Sequence, residues 1–232
     1  MQNKIDILST RDVEQHVKDL CATNNILLDT ISFIATEPIE TVEVQQEIEN
    51  ALLLSATVIF TSMNAVEAVA EFLFDAQPDW KIYCIGNTTK KLVIKYFGEA
   101  AIAGTASDAT ELAEAIVAED GIEEIIFFCG DKRRDELPEI LEKNSIELNE
   151  IVVYETIQVS QKINKEYHGV LFFSPSAVDS FFSVNKATSK TIFFAIGNTT
   201  AAAIKKYADN KIITADEPGK EALVEKAVEY FT

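Results

Sequence analysis

The residues in this chain best suited to chemistry are small hydroxyl and amide side chains, placed where apolar runs end and helical patterns begin. They read Ser9-Thr10-Arg11, Thr61-Ser62, Gly86-Asn87-Thr88-Thr89, Gly130-Asp131, Ser174-Pro175-Ser176 and Gly197-Asn198-Thr199-Thr200. Side chains of this kind cap the orphan N–H groups at a helix start, and N–H groups left uncapped attract anions. Taken singly, each junction is accounted for as an N-cap. The junctions are not single, however, because Ile85-Gly86-Asn87-Thr88-Thr89 recurs unchanged as Ile196-Gly197-Asn198-Thr199-Thr200. Two halves offering the same tips point to a shared anionic ligand. Other chemistries are set aside. No GxGxxG or Walker pattern is present, which leaves nucleotide binding weakly supported. Ser174 lies in Ser-Pro-Ser without the flanking glycines of a nucleophile elbow. No pair of carboxylates stands at neighbouring strand ends, and most Asp and Glu fall on solvent-facing helical positions.

The elements that must position these tips follow from hydrophobic patterning. Short β-branched and aromatic runs occur at Ile5-Leu8, Val58-Thr61, Ile82-Ile85, Ala100-Ala103, Ile125-Cys129, Val170-Phe173, Ile192-Ile196 and Ile212-Thr214. Nearly all are continuous rather than alternating, as expected of parallel strands covered on both faces. Between them lie helical stripes: Val44, Ile48, Ala51 and Leu52; Leu112, Ile116 and Val117; Leu223, Ala227, Val228 and Phe231. Strand and helix in alternation predict a doubly wound α/β fold with right-handed crossovers. The repeat also relates Phe60-Thr61-Ser62-Met63-Asn64-Ala65-Val66 to Phe172-Phe173-Ser174-Pro175-Ser176-Ala177-Val178. Its period is too long for a solenoid. It is one flavodoxin-like α/β half written twice, and two such halves facing each other make a cleft.

A second repeat relates Ile5–Thr36 to Ile125–Thr156, aligning Val17, Leu20 and Cys21 with Leu137, Ile140 and Leu141. The first unit of the chain thus corresponds to the last unit of its middle block. The simplest arrangement is a middle domain, 37–153, inserted into a discontinuous domain made of 1–35 plus 157–232. Two extended connectors, about 27–36 and 151–159, would then run side by side between similar parallel-sheet lobes.

Bulk properties bound the function further. The formal net charge of −18 over 232 residues argues against a nucleic-acid surface. No apolar run reaches the roughly 18 residues that span a bilayer, and Lys4, Asp6, Arg11 and Asp12 interrupt the start where a signal peptide would be apolar. A cytoplasmic protein is expected, and without heptads a monomer. Cys21, Cys84 and Cys129 are odd in number and set among apolar residues, so free buried thiols are expected. His16 and His168 are too few and too far from any cysteine to suggest a zinc site.

The ordered set Ile59–Val66, Phe172–Val178, Ile196–Ala201 and Val153-Tyr154-Glu155-Thr156 resembles the uroporphyrinogen-III synthase family over nearly the whole chain. The resemblance implies a cofactor-free lyase of tetrapyrrole (haem) biosynthesis. Its substrate would be hydroxymethylbilane, handed over transiently from hydroxymethylbilane synthase. Its product would be uroporphyrinogen III, formed with loss of water and inversion of ring D through a spiro intermediate. The substrate cyclises unaided to isomer I, so orientation matters more than a strong nucleophile. Carried over by position, Tyr154 matches the family tyrosine proposed as a general acid for the departing hydroxyl. Thr199 and Thr200 match paired threonines that face the cleft, with Thr89 in the corresponding place. Ser62 and Ser176 match serines at other strand tips, and Arg11 matches an arginine after the first strand. Asn87, Thr88, Ser174, Gly197 and Asn198 complete the tips expected to bind substrate. A polycarboxylate ligand and an acidic protein repel at long range, though salt screens this beyond about 8 Å. Helix N-termini and backbone amides would then hold the few carboxylates that enter. The alternative is a non-catalytic tetrapyrrole or small-anion binding module of the same fold; a bilobed solute-binding protein is a more distant rival.

Overall fold

Continuous apolar strands need helices on both faces, and the chain supplies them. In the computed structural model, residues 4–74, 77–217 and 219–232 are described. In chain order the elements are β1 (Ile5–Ser9), α1 (Gln15–Thr23), β2 (Ile26–Thr30), β3 (Ile34–Pro38), α2 (Val42–Leu52), β4 (Ala56–Phe60), α3 (Met63–Ala70), β5 (Trp80–Ile85), α4 (Asn87–Phe97), β6 (Ile102–Ala106), α5 (Ala109–Val117) and β7 (Glu124–Gly130). They continue through α6 (Glu136–Lys143), β8 (Glu147–Gln158), β9 (Gly169–Phe172), α7 (Pro175–Val184), β10 (Ile192–Ala195), α8 (Asn198–Ile204), β11 (Ile212–Thr214) and α9 (Lys220–Phe231). The expected strand at Ala100-Ala103 starts later, because Gly98, at φ 87°, leads into a 3-10 turn over Glu99–Ala101.

The chain divides into two compact units, Met1–Ala35 with Ile157–Thr232 and Thr36–Thr156. Both crossing points fall inside strands, β3 and β8. The first unit holds a five-stranded sheet in the order β11-β10-β9-β1-β2, its described pairs all parallel. Numbered along the unit, that is the flavodoxin-like order 2-1-3-4-5 read from the other edge. The second sheet runs β3-β8-β7-β4-β5-β6. Its last five strands have the same order once β7 and β8 are counted as first and second. The internal repeat is therefore a permutation: β1-α1-β2 opens one unit, and its counterpart β7-α6-β8 closes the other.

Each sheet is covered twice. In the second unit, Phe60, Phe128, Trp80 and Phe97 pack under α3 and α4, while Ile59, Phe127 and Cys129 pack under α5 and α6. In the first, Phe172, Phe181 and Phe193 lie on one face and Val17, Leu171, Phe194 and Leu223 on the other. The segment leading into β9 is tied down by Asp29, which accepts hydrogen bonds from Lys165 Nζ at 2.9 Å and from the Tyr167 hydroxyl at 2.8 Å. Partial burial would raise the Asp29 carboxyl, but the bonds from Lys165 and Tyr167 outweigh it and hold its pKa below the ordinary 3.8. Burial, with the same contact to Asp29, pushes the Tyr167 phenol up to about 12.

Two predictions follow from this packing. Phe128 is fully buried, with ring centroids 5.4 Å from Phe60 and 5.6 Å from Trp80. Phe128→Ala should cost about 3–5 kcal/mol, read in urea through the fluorescence of the single tryptophan, Trp80. A depressed carboxylate stabilises the fold above its unfolded pKa, and the contribution fades as pH falls through the lower folded value. Asp29→Asn should therefore be less stable than the parent at neutral pH, with the gap closing as acid is added below 3.8. A gap independent of pH would assign the effect to shape rather than charge.

Candidate functional site

In open α/β sheets a ligand lies beyond the carboxyl ends of the strands, where the strand order reverses. That point falls between β1 and β9 in the first unit and between β7 and β4 in the second.

In the first unit, Thr10 is buried and joins the two strand ends: its N–H and its hydroxyl both donate to the Leu171 carbonyl, at 3.0 and 2.8 Å. Arg11, the next residue, is exposed and makes no ion pair with any described residue. Ser174 caps α7 by accepting the Ala177 N–H at 3.2 Å, and Ser176 is half-buried in the first turn. In the second unit, Ser62 does the same for α3, accepting the Asn64 N–H at 3.2 Å. For both serines the N-cap reading holds.

The repeated Gly-Asn-Thr-Thr tips behave differently. Neither α4 nor α8 has a side-chain cap, so their first-turn N–H groups stay open. Gly86 caps α4 at φ 79°, a left-handed conformation that glycine adopts without strain, whereas Gly197 is extended. The threonines part ways as well. Thr88 and Thr199 are exposed with Asn87 and Asn198, while Thr89 and Thr200 are 6% and 3% exposed. Successive helical residues point about 100° apart, so one threonine of each pair meets solvent and the other packs inward.

Tyr154 lines a pocket of about 450 Å³ with Asn64 and Glu67 of α3, Glu71 just past that helix, Glu37 of β3 and Tyr96 of α4. Side chains should alternate along β8, and they do up to a point: Ile151 and Val153 face the Phe60–Phe128 cluster, Val152 the opposite one. Tyr154 then breaks the alternation and packs on the same side as Val153. The cause is a bulge: Cys129 pairs with Val152, but Gly130 pairs with Tyr154, leaving Val153 as the extra residue. The tyrosine ring lies across Gly130. Its half-buried hydroxyl is bonded by none of the described residues.

The pocket's three glutamates, and the absence of Lys or Arg from its lining, make it hostile to a substrate carboxylate and hospitable to positive charge or N–H donors. Sequence reasoning did not single out Asn64, Glu67, Glu71 or Tyr96. A signal existed for one of them, since Asn64 occupies the repeat position of Ser176. Thiol chemistry has no place here: burial pushes Cys21 and Cys129 up to about 11 and raises Cys84 as well. Among the described residues no helix is long and apolar enough to cross a membrane.

Two solved structures share this fold. A uroporphyrinogen-III synthetase from Helicobacter pylori is 18% identical, with a TM-score of 0.67, covering 97% of this chain and 99% of its own. A mutant uroporphyrinogen III synthase from the extremely thermophilic bacterium Thermus thermophilus is 12% identical, with a TM-score of 0.58, covering 97% and 98%. At such identities the likeness speaks for the fold alone. The sequence family described as Uroporphyrinogen-III synthase HemD matches residues 28–225, most of both units. The chain belongs to the uroporphyrinogen-III synthase family.

Proposed function

We propose that this enzyme of tetrapyrrole biosynthesis closes hydroxymethylbilane to uroporphyrinogen III without a cofactor, losing water and inverting ring D through a spiro intermediate. The observation that carries the residue assignment is Tyr154, whose phenol, bonded by none of the described residues, is turned into an acidic pocket by a bulge in the β7–β8 pairing. When a hydroxyl leaves a pyrrole-bound methylene, the carbon left behind is cationic and conjugated with the ring. Tyr154 delivers the proton to the departing oxygen, and Glu67 of α3 and Glu71 just past its end favour the positive charge. Both glutamates are exposed, so their effect is screened and modest.

The substrate's carboxylates go elsewhere. Arg11 and the open helix starts at Asn87-Thr88 and Asn198-Thr199 are the groups we assign to them, with Ser62, Ser174 and Ser176 offering hydroxyls nearby in sequence. Gly86 and Gly197 leave the backbone at those helix starts bare. The buried Thr89 and Thr200 shape the helix starts rather than donate to substrate. This reading also makes the protein a cytoplasmic monomer that takes hydroxymethylbilane from solution or directly from its synthase.

The test is a coupled assay. Hydroxymethylbilane is generated from porphobilinogen with its deaminase, the protein is added, and the oxidised isomers are separated. A catalytic excess of isomer III over the no-enzyme control is expected. Only isomer I from folded protein would refute turnover and leave a binding module of the same fold. Tyr154→Phe should lower kcat about tenfold or more, since a phenol is a poor acid and falls at the low end of general-acid effects. Arg11→Ala should raise KM about threefold to tenfold with kcat little changed, as for an exposed charge-assisted contact made equally in ground and transition states.

A further inference from the structure

We infer that Gly130 and Asp131, at the tip of β7, are positioning residues that aim the Tyr154 phenol; the inference rests on the reading of Tyr154 as the proton donor. A β-carbon built at Gly130 would fall 2.7 Å from the Tyr154 hydroxyl oxygen and closer still to the ring carbons. No side chain therefore fits at 130 while the ring lies where it does. Gly130 has no φ that demands glycine; its bareness is explained by the ring above it. Asp131 fixes the backbone that leaves the tyrosine. Its N–H donates to the Tyr154 carbonyl at 3.1 Å, and its carboxylate accepts the Thr156 N–H at 2.8 Å. The bulge sets the direction of the side chain, the glycine leaves it room, and the aspartate keeps the bulged strand in register.

The same sheet holds a matched control. Gly104 of β6 pairs with Tyr83 of β5 at another irregular register, and a β-carbon there would meet the Tyr83 ring at 2.7 Å. Tyr83, however, is buried at 4% exposure, and its contacts are core contacts. One aromatic-over-glycine pair is thus interior and the other opens on a pocket. Adding a methyl group to either glycine should strain the sheet, but only at Gly130 should it reach the reaction.

The experiment compares initial rates of isomer III formation and melting temperatures for Gly130→Ala, Gly104→Ala, Tyr154→Phe, Tyr154→Ala and the double variant Gly130→Ala/Tyr154→Ala. Gly130→Ala should lower kcat about as far as Tyr154→Phe, about tenfold or more, with KM little changed. In the Tyr154→Ala background, where no ring is left to displace, the glycine substitution should change kcat less than about twofold. Gly104→Ala should lower the melting temperature while keeping kcat. If Gly130→Ala does not fold, Asp131 carries the test. Asp131→Ala should lose kcat, and Asp131→Asn, which keeps an acceptor for the Thr156 N–H, should restore most of it. Full kcat in Gly130→Ala and Asp131→Ala beside a slow Tyr154→Phe would overturn the positioning inference alone. Full kcat in Tyr154→Phe would overturn it together with the role of Tyr154.

Discussion

Everything in this molecule depends on the requirement that a parallel sheet be buried on both faces. Once the interior of every central strand is committed to two layers of helix, polar chemistry has few places left. It can sit only where strands stop, and those stops are the turns that lead into helices. The small polar residues at the tips are what remains after the core has taken its share. The two serine tips spend their oxygen lone pairs on capping. The two glycine tips leave their helix starts open. On the proposed reading, these open N–H groups, rather than lysines, would meet the carboxylates of the substrate.

Tyr154 is the exception that this requirement makes conspicuous. In β8 the side that carries Ile151 and Val153 is buried, and the phenol reaches a pocket from that side where the pairing is broken. Here the pairing of β7 with β8 is broken by one residue, beside a glycine. Bulges gather next to active sites because they re-aim a side chain without rebuilding the sheet. The pocket into which the ring is turned is acidic, which suits a departing hydroxyl and the cation it leaves better than it suits a carboxylate. The protein's net negative charge opposes the proposed substrate at long range, whereas in this pocket the same sign would favour the cation of the proposed reaction.

The fold was legible because the chain states it twice. The two repeats identify which strand corresponds to which, and parallel topology follows from the continuity of the apolar runs. The tip residues were legible for the same reason. What could not be read was the direction of side chains. In Ile151-Val152-Val153-Tyr154 every residue is apolar or aromatic, so a two-residue alternation and its interruption look alike. The Gly-Asn-Thr-Thr repeat hides a similar difference: identical letters carry a left-handed glycine in one copy and an extended one in the other. The paired threonines read as two ligands, but helical geometry separates them into one exposed and one buried. Glu67 and Glu71 passed as solvated residues because the pocket beside them is formed by Thr36–Pro38, Tyr96 and the turned Tyr154, all distant in sequence.

The six tyrosines allow the place of substrate contact to be read directly. With the chain labelled by 3-fluorotyrosine, fluorine NMR during a titration with uroporphyrin III, the stable oxidised form of the product, would follow each ring; single Tyr→Phe variants would assign the resonances. The Tyr154 resonance should move saturably, while that of the buried Tyr83 stays fixed. A saturable shift confined to Tyr167, which lines a different pocket of about 310 Å³ in the other unit, with Tyr154 unmoved, would contradict the account and remove Tyr154 from the reaction.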